Sequence, residues 1–115
     1  MHVLHIAHQA DWHRALEEGT YRVSTRGRTL DEVGYIHASY PEQVQAVARA
    51  VYADDPEALC VLVLDEALIT DAGVRLELED GGDGELYPHI YGPIDRSWVV
   101  DVRPAEFDED GVLRY

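Results

Sequence analysis

The chain has 115 residues, 46% of them hydrophobic, and a formal charge of −14 from 23 acidic and nine basic residues. That length suits one domain, residues 1–115, and is too short for two. A surface this negative repels phosphate backbones at long range, which argues against non-specific nucleic-acid binding but leaves room for a local anion pocket.

The longest apolar stretch, Leu59 to Leu64, is strand-sized, so no membrane span is expected. The start, Met1-His2-Val3-Leu4-His5, lacks the charged and apolar regions of a signal peptide. The single cysteine, Cys60, lies inside the apolar run and reads as a small buried hydrophobe. These features together point to a reducing, cytoplasmic setting.

In chain order, residues 2–7 read as a first strand. Asp11 is placed to cap a helix whose Trp12, Ala15 and Leu16 share one face, and Gly19 stands where a helix C-terminal glycine belongs. Residues 20–24 read as a short strand. Residues 25–33 read as loop, with one helical turn at Leu30–Val33. Tyr35–Ser39 reads as a strand, and Pro41 as the first residue of a helix over 41–53 with Val44, Val47, Ala48 and Val51 on one face. Asp54-Asp55-Pro56 ends it. Leu59–Asp65 is the pattern of a central strand covered on both faces. Val74–Glu79 alternates, with Val74, Leu76 and Leu78 toward the core. Asp80–Gly84 is a turn, residues 97–103 a strand, and residues 112–115 a last strand. Two main helices in the first half and six or seven strands overall make an α+β order.

Six histidines in so short a chain call for explanation. His2, His5 and His8 recur every three residues, so in a strand they alternate faces, and no ligand pair at metal-site spacing exists; no dedicated metal site is expected. His2 and His13 read as surface residues. His37 and Ser39 share a face at a strand's end, where they either bind a polar ligand or are a structural pair. His89 and Tyr91 share a side in Tyr87-Pro88-His89-Ile90-Tyr91-Gly92-Pro93, where they either orient a flat ligand ring or pack a rigid turn. No nucleophile elbow and no phosphate loop are present. Arg22, Arg26 and Arg28 are the only basic cluster.

His5-Ile6, Trp12, Ala15, Gly19 and Tyr21, then Gly34-Tyr35-Ile36-His37-Ala38-Ser39, then Tyr87 to Pro93, resemble the bacterial domain-of-unknown-function family 952, in order over residues 3 to 113. Ala38 stands where that family often has Cys, and Tyr87 where it often has Phe. The resemblance implies the ADP-ribosyltransferase-like fold group: a split, curved, mixed or antiparallel sheet that binds NAD in a cleft. Carried over, His5 would hold a ribose, His37 with Ser39 would be the second element, and His89 with Tyr91 the third. Many active members of that fold group place a Glu on a late strand; here His89 stands instead, and neither Glu77 nor Glu79 aligns to that role. His37, His89 and Tyr91 are thus the candidate catalytic residues. His5 and Ser39 are candidate NAD contacts, and Arg22, Arg26 or Arg28 would neutralise the pyrophosphate. Three readings follow: an NAD-dependent transferase or NAD-cleaving enzyme, a non-catalytic nucleotide or small-metabolite binding module, and an interaction domain with structural histidines. They are told apart by whether the three histidines share a cleft, and whether a carboxylate joins them.

Overall fold

The computed structural model describes residues 1–115. In chain order the elements are β1 (His2–His8), α1 (Gln9–Glu18), β2 (Thr20–Tyr21), β3 (Val23–Thr25), β4 (Arg28–Thr29), α2 (Leu30–Val33), β5 (Ile36–His37) and α3 (Val44–Val47), which runs on into a π-helical turn, Ala48–Tyr52. There follow β6 (Leu59–Asp65), α4 (Glu66–Asp71), β7 (Arg75–Asp80), β8 (Leu86–Tyr91), β9 (Ile94–Asp95), a 3-10 turn Arg96–Trp98, β10 (Val99–Phe107) and β11 (Leu113–Arg114).

The apolar run of β6 lies between β1 and β10, in a four-stranded sheet ordered β1-β6-β10-β11. Its residues face two separate cores. Cys60, Leu62 and Leu64 join Val3, Ala7, Trp12 and Tyr21 on one side. Leu59, Val61 and Val63 join Leu4, Ile6, Val44, Ala48 and Tyr52 on the other. A strand covered on both faces has no solvent side, which is why β6 does not alternate in polarity. Cys60 is buried as expected, and burial pushes its thiol up to about 11.

A second sheet is ordered β5-β8-β7, and every strand pairing in the molecule is antiparallel. The two sheets meet at one bridge: Leu4 N–H donates to Ser39 O (2.7 Å) and Ser39 N–H to Leu4 O (2.8 Å). Beyond it they part, so the sheet is split between β1 and β5. Pro88 lies inside β8, the middle strand. Its carbonyl accepts from Ala38 N–H (3.1 Å). In an antiparallel strand a residue's N and O face the same neighbour, so the missing donor falls on the side where β5 has already ended, and the β7 ladder is unaffected.

Several sequence expectations need correction. The strands number eleven rather than six or seven: residues 20–24 divide into β2 and β3, the two-residue β4 and β9 leave no periodic trace, and β8, interrupted by Pro88, does not read as a strand. The α-helices number four rather than two. Of the added pair, α2 is the turn expected at Leu30–Val33, built on a capping box between Thr29 and Glu32, and α4 has its own cap, Asp65, which accepts from Ala67 N–H. Helix α1 begins at Gln9, two residues before Asp11, which lies in its first turn; Gly19 ends it at φ +93°. Helix α3 begins at Val44, not Pro41, since residues 41–43 are a turn held by Gln43, whose amide accepts from Tyr40 N–H and donates to Leu86 O. Leu78 is 51% exposed: β7 is the sheet edge, and only Val74 and Leu76 reach the core. No helix is long and apolar enough to cross a membrane.

Candidate functional site

The split between β1 and β5 opens into a cleft of about 360 Å³. One wall is apolar, from Leu4, Ile6 and the α3–π-helix face carrying Ala46, Val47, Ala50 and Val51. The other wall holds Tyr35, His37, Ser39, Tyr87 and His89, with Asp80 and Asp83 at the turn between β7 and β8.

His5 is 2% exposed and wedged in the split. Its Nδ1 lies 2.5 Å from His37 O, a group that only accepts, so Nδ1 carries the proton. Burial lowers its pKa to about 4, so the ring is neutral and Nε2 accepts from the Tyr21 hydroxyl at 2.8 Å. Both nitrogens therefore have protein partners. The ring lines the cleft but has no polar atom left for a ligand, and its action is on the backbone of His37.

His37 faces His89 across the β5–β8 pair, their ring centroids 5.5 Å apart. The Ser24 hydroxyl donates to Tyr35 O (2.5 Å) and accepts from His37 Nδ1–H (3.0 Å). Burial first, then the neighbouring His89, lowers the His37 pKa, which leaves a neutral ring with a bare Nε2. No protein group bonds that nitrogen. It is a hydrogen-bond or proton acceptor on a residue that lines the cleft.

His89 is 3% exposed. Its Nδ1–H donates to Glu79 Oε1 at 2.9 Å, and the Tyr91 hydroxyl donates to the same oxygen. These two bonds, Tyr91 first, hold the Glu79 carboxyl below its usual range. The Tyr35 ring lies 4.0 Å from the His89 ring, 15° from parallel. With Nδ1 engaged and the ring clamped, Nε2 is again the nitrogen left for a ligand. Ser39 is 3% exposed, its backbone is tied to Leu4, and its hydroxyl has no protein partner.

The structure thus brings His5, His37, Ser39 and His89 together, and places Tyr91 behind them on Glu79. It does not bring the arginines. Arg22, Arg26 and Arg28 are all outside the cleft lining. Arg26 is held by Asp54 Oδ1 (2.7 Å), Asp55 Oδ2 (3.0 Å) and Val51 O (2.9 Å), a network that also takes in His8 through Asp55 (2.6 Å). Any contact they make with a pyrophosphate would therefore lie outside this lining; the guanidinium of Arg26 is already bonded to Asp54 and Asp55, and Arg22 and Arg28 are exposed. Ser24 has no place among the sequence candidates, Tyr21 and Tyr35 stand there only within the family resemblance, and Glu79 only as a residue that does not align to the late-strand Glu. Glu79 alone carried a signal, its β-strand parity beside the His89 motif.

The family described as "Protein of unknown function (DUF952)" matches residues 6–102. Among solved structures, the crystal structure of protein CC0527 from Caulobacter crescentus is similar at 25% identity, over 99% of this chain and 94% of that one, with a TM-score of 0.83. The solution NMR structure of CC0527 is similar at 28% identity, over 96% of this chain and 90% of that one, with a TM-score of 0.75. No match was found among curated proteins.

Proposed function

The chain belongs to the domain-of-unknown-function family 952, and from that premise we propose that its cleft binds the nicotinamide–ribose half of NAD and cleaves the bond between them. The observation that carries this reading is that His37, His89 and Ser39 line one cleft, with His37 Nε2, His89 Nε2 and Ser39 Oγ free of protein partners while the other polar atoms of these residues are bonded. Two imidazoles 5.5 Å apart suit the neighbouring hydroxyls of a ribose. The Tyr35 ring, stacked on His89, offers a flat aromatic surface beside them.

The chemistry needs little from the protein beyond position and charge. The bond from ribose C1′ to the ring nitrogen breaks, its electron pair stays with that nitrogen, and nicotinamide leaves neutral. Positive charge builds on the ribose, and the Glu79 carboxylate behind His89 opposes it. Water then bonds to C1′ and gives its proton to His37 Nε2; an acceptor hydroxyl in place of water makes the same step a transfer. The diphosphate stays outside the cleft, whose lining has no arginine.

A second reading, binding without chemistry, is favoured by one feature: the accepting oxygen of Glu79 is already shared by His89 and Tyr91. One experiment separates the two. Titrate NAD, ADP-ribose and nicotinamide calorimetrically into the wild type, His37→Ala and His89→Ala, and follow nicotinamide release by chromatography. Binding and release, both lost in the variants while the fold persists, support the enzyme. Binding without release supports the module. No binding at about 1 mM ligand, where an interaction of about 4 kcal/mol would register, sinks both.

A further inference from the structure

The polar inventory of the cleft is lopsided. No Lys or Arg lines it, and the chain has no Lys at all. Arg26 is held by Asp54 and Asp55, and Arg75 lies over the outer Tyr91 ring, 4.2 Å from its centroid. Lining it instead are two acidic residues, Asp80 and Asp83, and His37, whose Nε2 has no protein partner. The Asp80 carboxylate is fixed by the backbone N–H groups of Gly82 and Gly84, and that of Asp83 by Glu85 N–H and the Tyr87 hydroxyl. Glu79 adds a third negative charge directly behind His89. Two polar side chains more than nine-tenths buried, His89 and Ser39, keep an unpartnered polar atom at this same cleft.

We infer that the cleft selects a flat organic cation, a pyridinium-type ring bearing hydrogen-bond donors, over the neutral ring of the same shape and over anions. An anion would meet fixed carboxylates and the lone pair of His37 Nε2 with no counter-charge. A neutral ring would gain the stacking but not the charge. A cation gains both: the carboxylates attract it, and the face of Tyr35 favours positive charge. Donors on the ligand match the acceptors of the wall, and the ring body lies against the apolar face of Ala46 and Ala50. The inference deepens the reading of this cleft as the nicotinamide end of an NAD site and rests on it for the choice of probe, but its test does not need NAD to bind.

The test compares N1-methylnicotinamide, a cation, with nicotinamide, its neutral ring, by NMR-detected titration of the whole chain. The cation is expected to bind on the order of tenfold more tightly. That preference should shrink as salt rises from about 20 mM to about 200 mM, because screening acts on the charge term alone. Asp80→Asn and Asp83→Asn should each reduce it. Both aspartates also hold their turn, so the salt dependence of the wild type is the readout that turn damage cannot mimic. Equal binding of the two rings, a preference that salt leaves unchanged, or no binding of either ring overturns the inference. NAD binding without cation preference sinks this inference and leaves the proposed function standing; cation preference without NAD binding does the reverse.

Discussion

Acidification from about pH 8 to about pH 5 should destabilise the fold through His5. The ring is fully buried and its pKa falls from 6.5 to about 4, chiefly because burial disfavours the charged form. Below pH 6.5 the unfolded chain takes up a proton that the folded chain refuses. Stability from this group is therefore fully present above pH 6.5 and is lost as pH falls toward 4. A shift of that size corresponds to about 3 kcal/mol in full, and to about 2 kcal/mol by pH 5. His37, also depressed, adds in the same direction. The carboxylates held low by hydrogen bonds, such as Glu79 and Asp83, titrate below this window and do not confuse it. The assay is urea unfolding at several pH values, for the wild type and His5→Asn. The variant keeps an N–H donor for His37 O and has nothing to titrate. The wild type should lose about 2 kcal/mol more than the variant between the two pH values. Equal losses would refute the assignment of His5 as a buried neutral ring.

Tyr21→Phe removes the donor to His5 Nε2 and leaves a buried acceptor unsatisfied; equilibrium unfolding should record a loss of about 1–3 kcal/mol. Asp55, whose side chain is 1% exposed, is bonded to His8, Arg26 and Glu57 N–H. Asp55→Ala should cost about 1–3 kcal/mol, read the same way, since it removes the acceptor shared by His8, Arg26 and the Glu57 N–H while Arg26 keeps Asp54 and Val51 O. Gly81→Ala would place a methyl 2.5 Å from the Tyr87 ring; the ring or the turn must move, and the Tyr87 resonances should shift in an NMR spectrum while those of Trp12 do not.

What the sequence made legible was what lies close along the chain. His37 with Ser39, and His89 with Tyr91, are two residues apart on strands, and strand parity alone puts each pair on one face. The covered strand Leu59–Asp65 was legible from its unbroken apolar run. Partners drawn from other strands were not. Glu79 reaches His89 diagonally across β7 and β8, Ser24 reaches His37 from β3, and Tyr21 reaches His5 from β2. None of these contacts leaves a period or spacing. The partners of the arginine cluster were illegible for the same reason: charge proximity in sequence does not reveal that Arg26 is bonded to Asp54 and Asp55, nearly thirty residues on. The π-helical turn at Ala48–Tyr52, which lines the cleft, has the same 3–4 apolar spacing as the α-helix it replaces.

The most direct measurement of the central claim, a ligand cleft built on two imidazoles, is a long-range nitrogen–proton NMR spectrum of the histidines, recorded without and with NAD. Without ligand, His5 and His37 should both show the tautomer protonated at Nδ1. With NAD, the Nε2 signals of His37 and His89 should move while those of His5, whose nitrogens already have partners, stay in place. A His37 ring protonated at Nε2 in the free protein, or a spectrum that NAD leaves unchanged at both His37 and His89, would contradict the account.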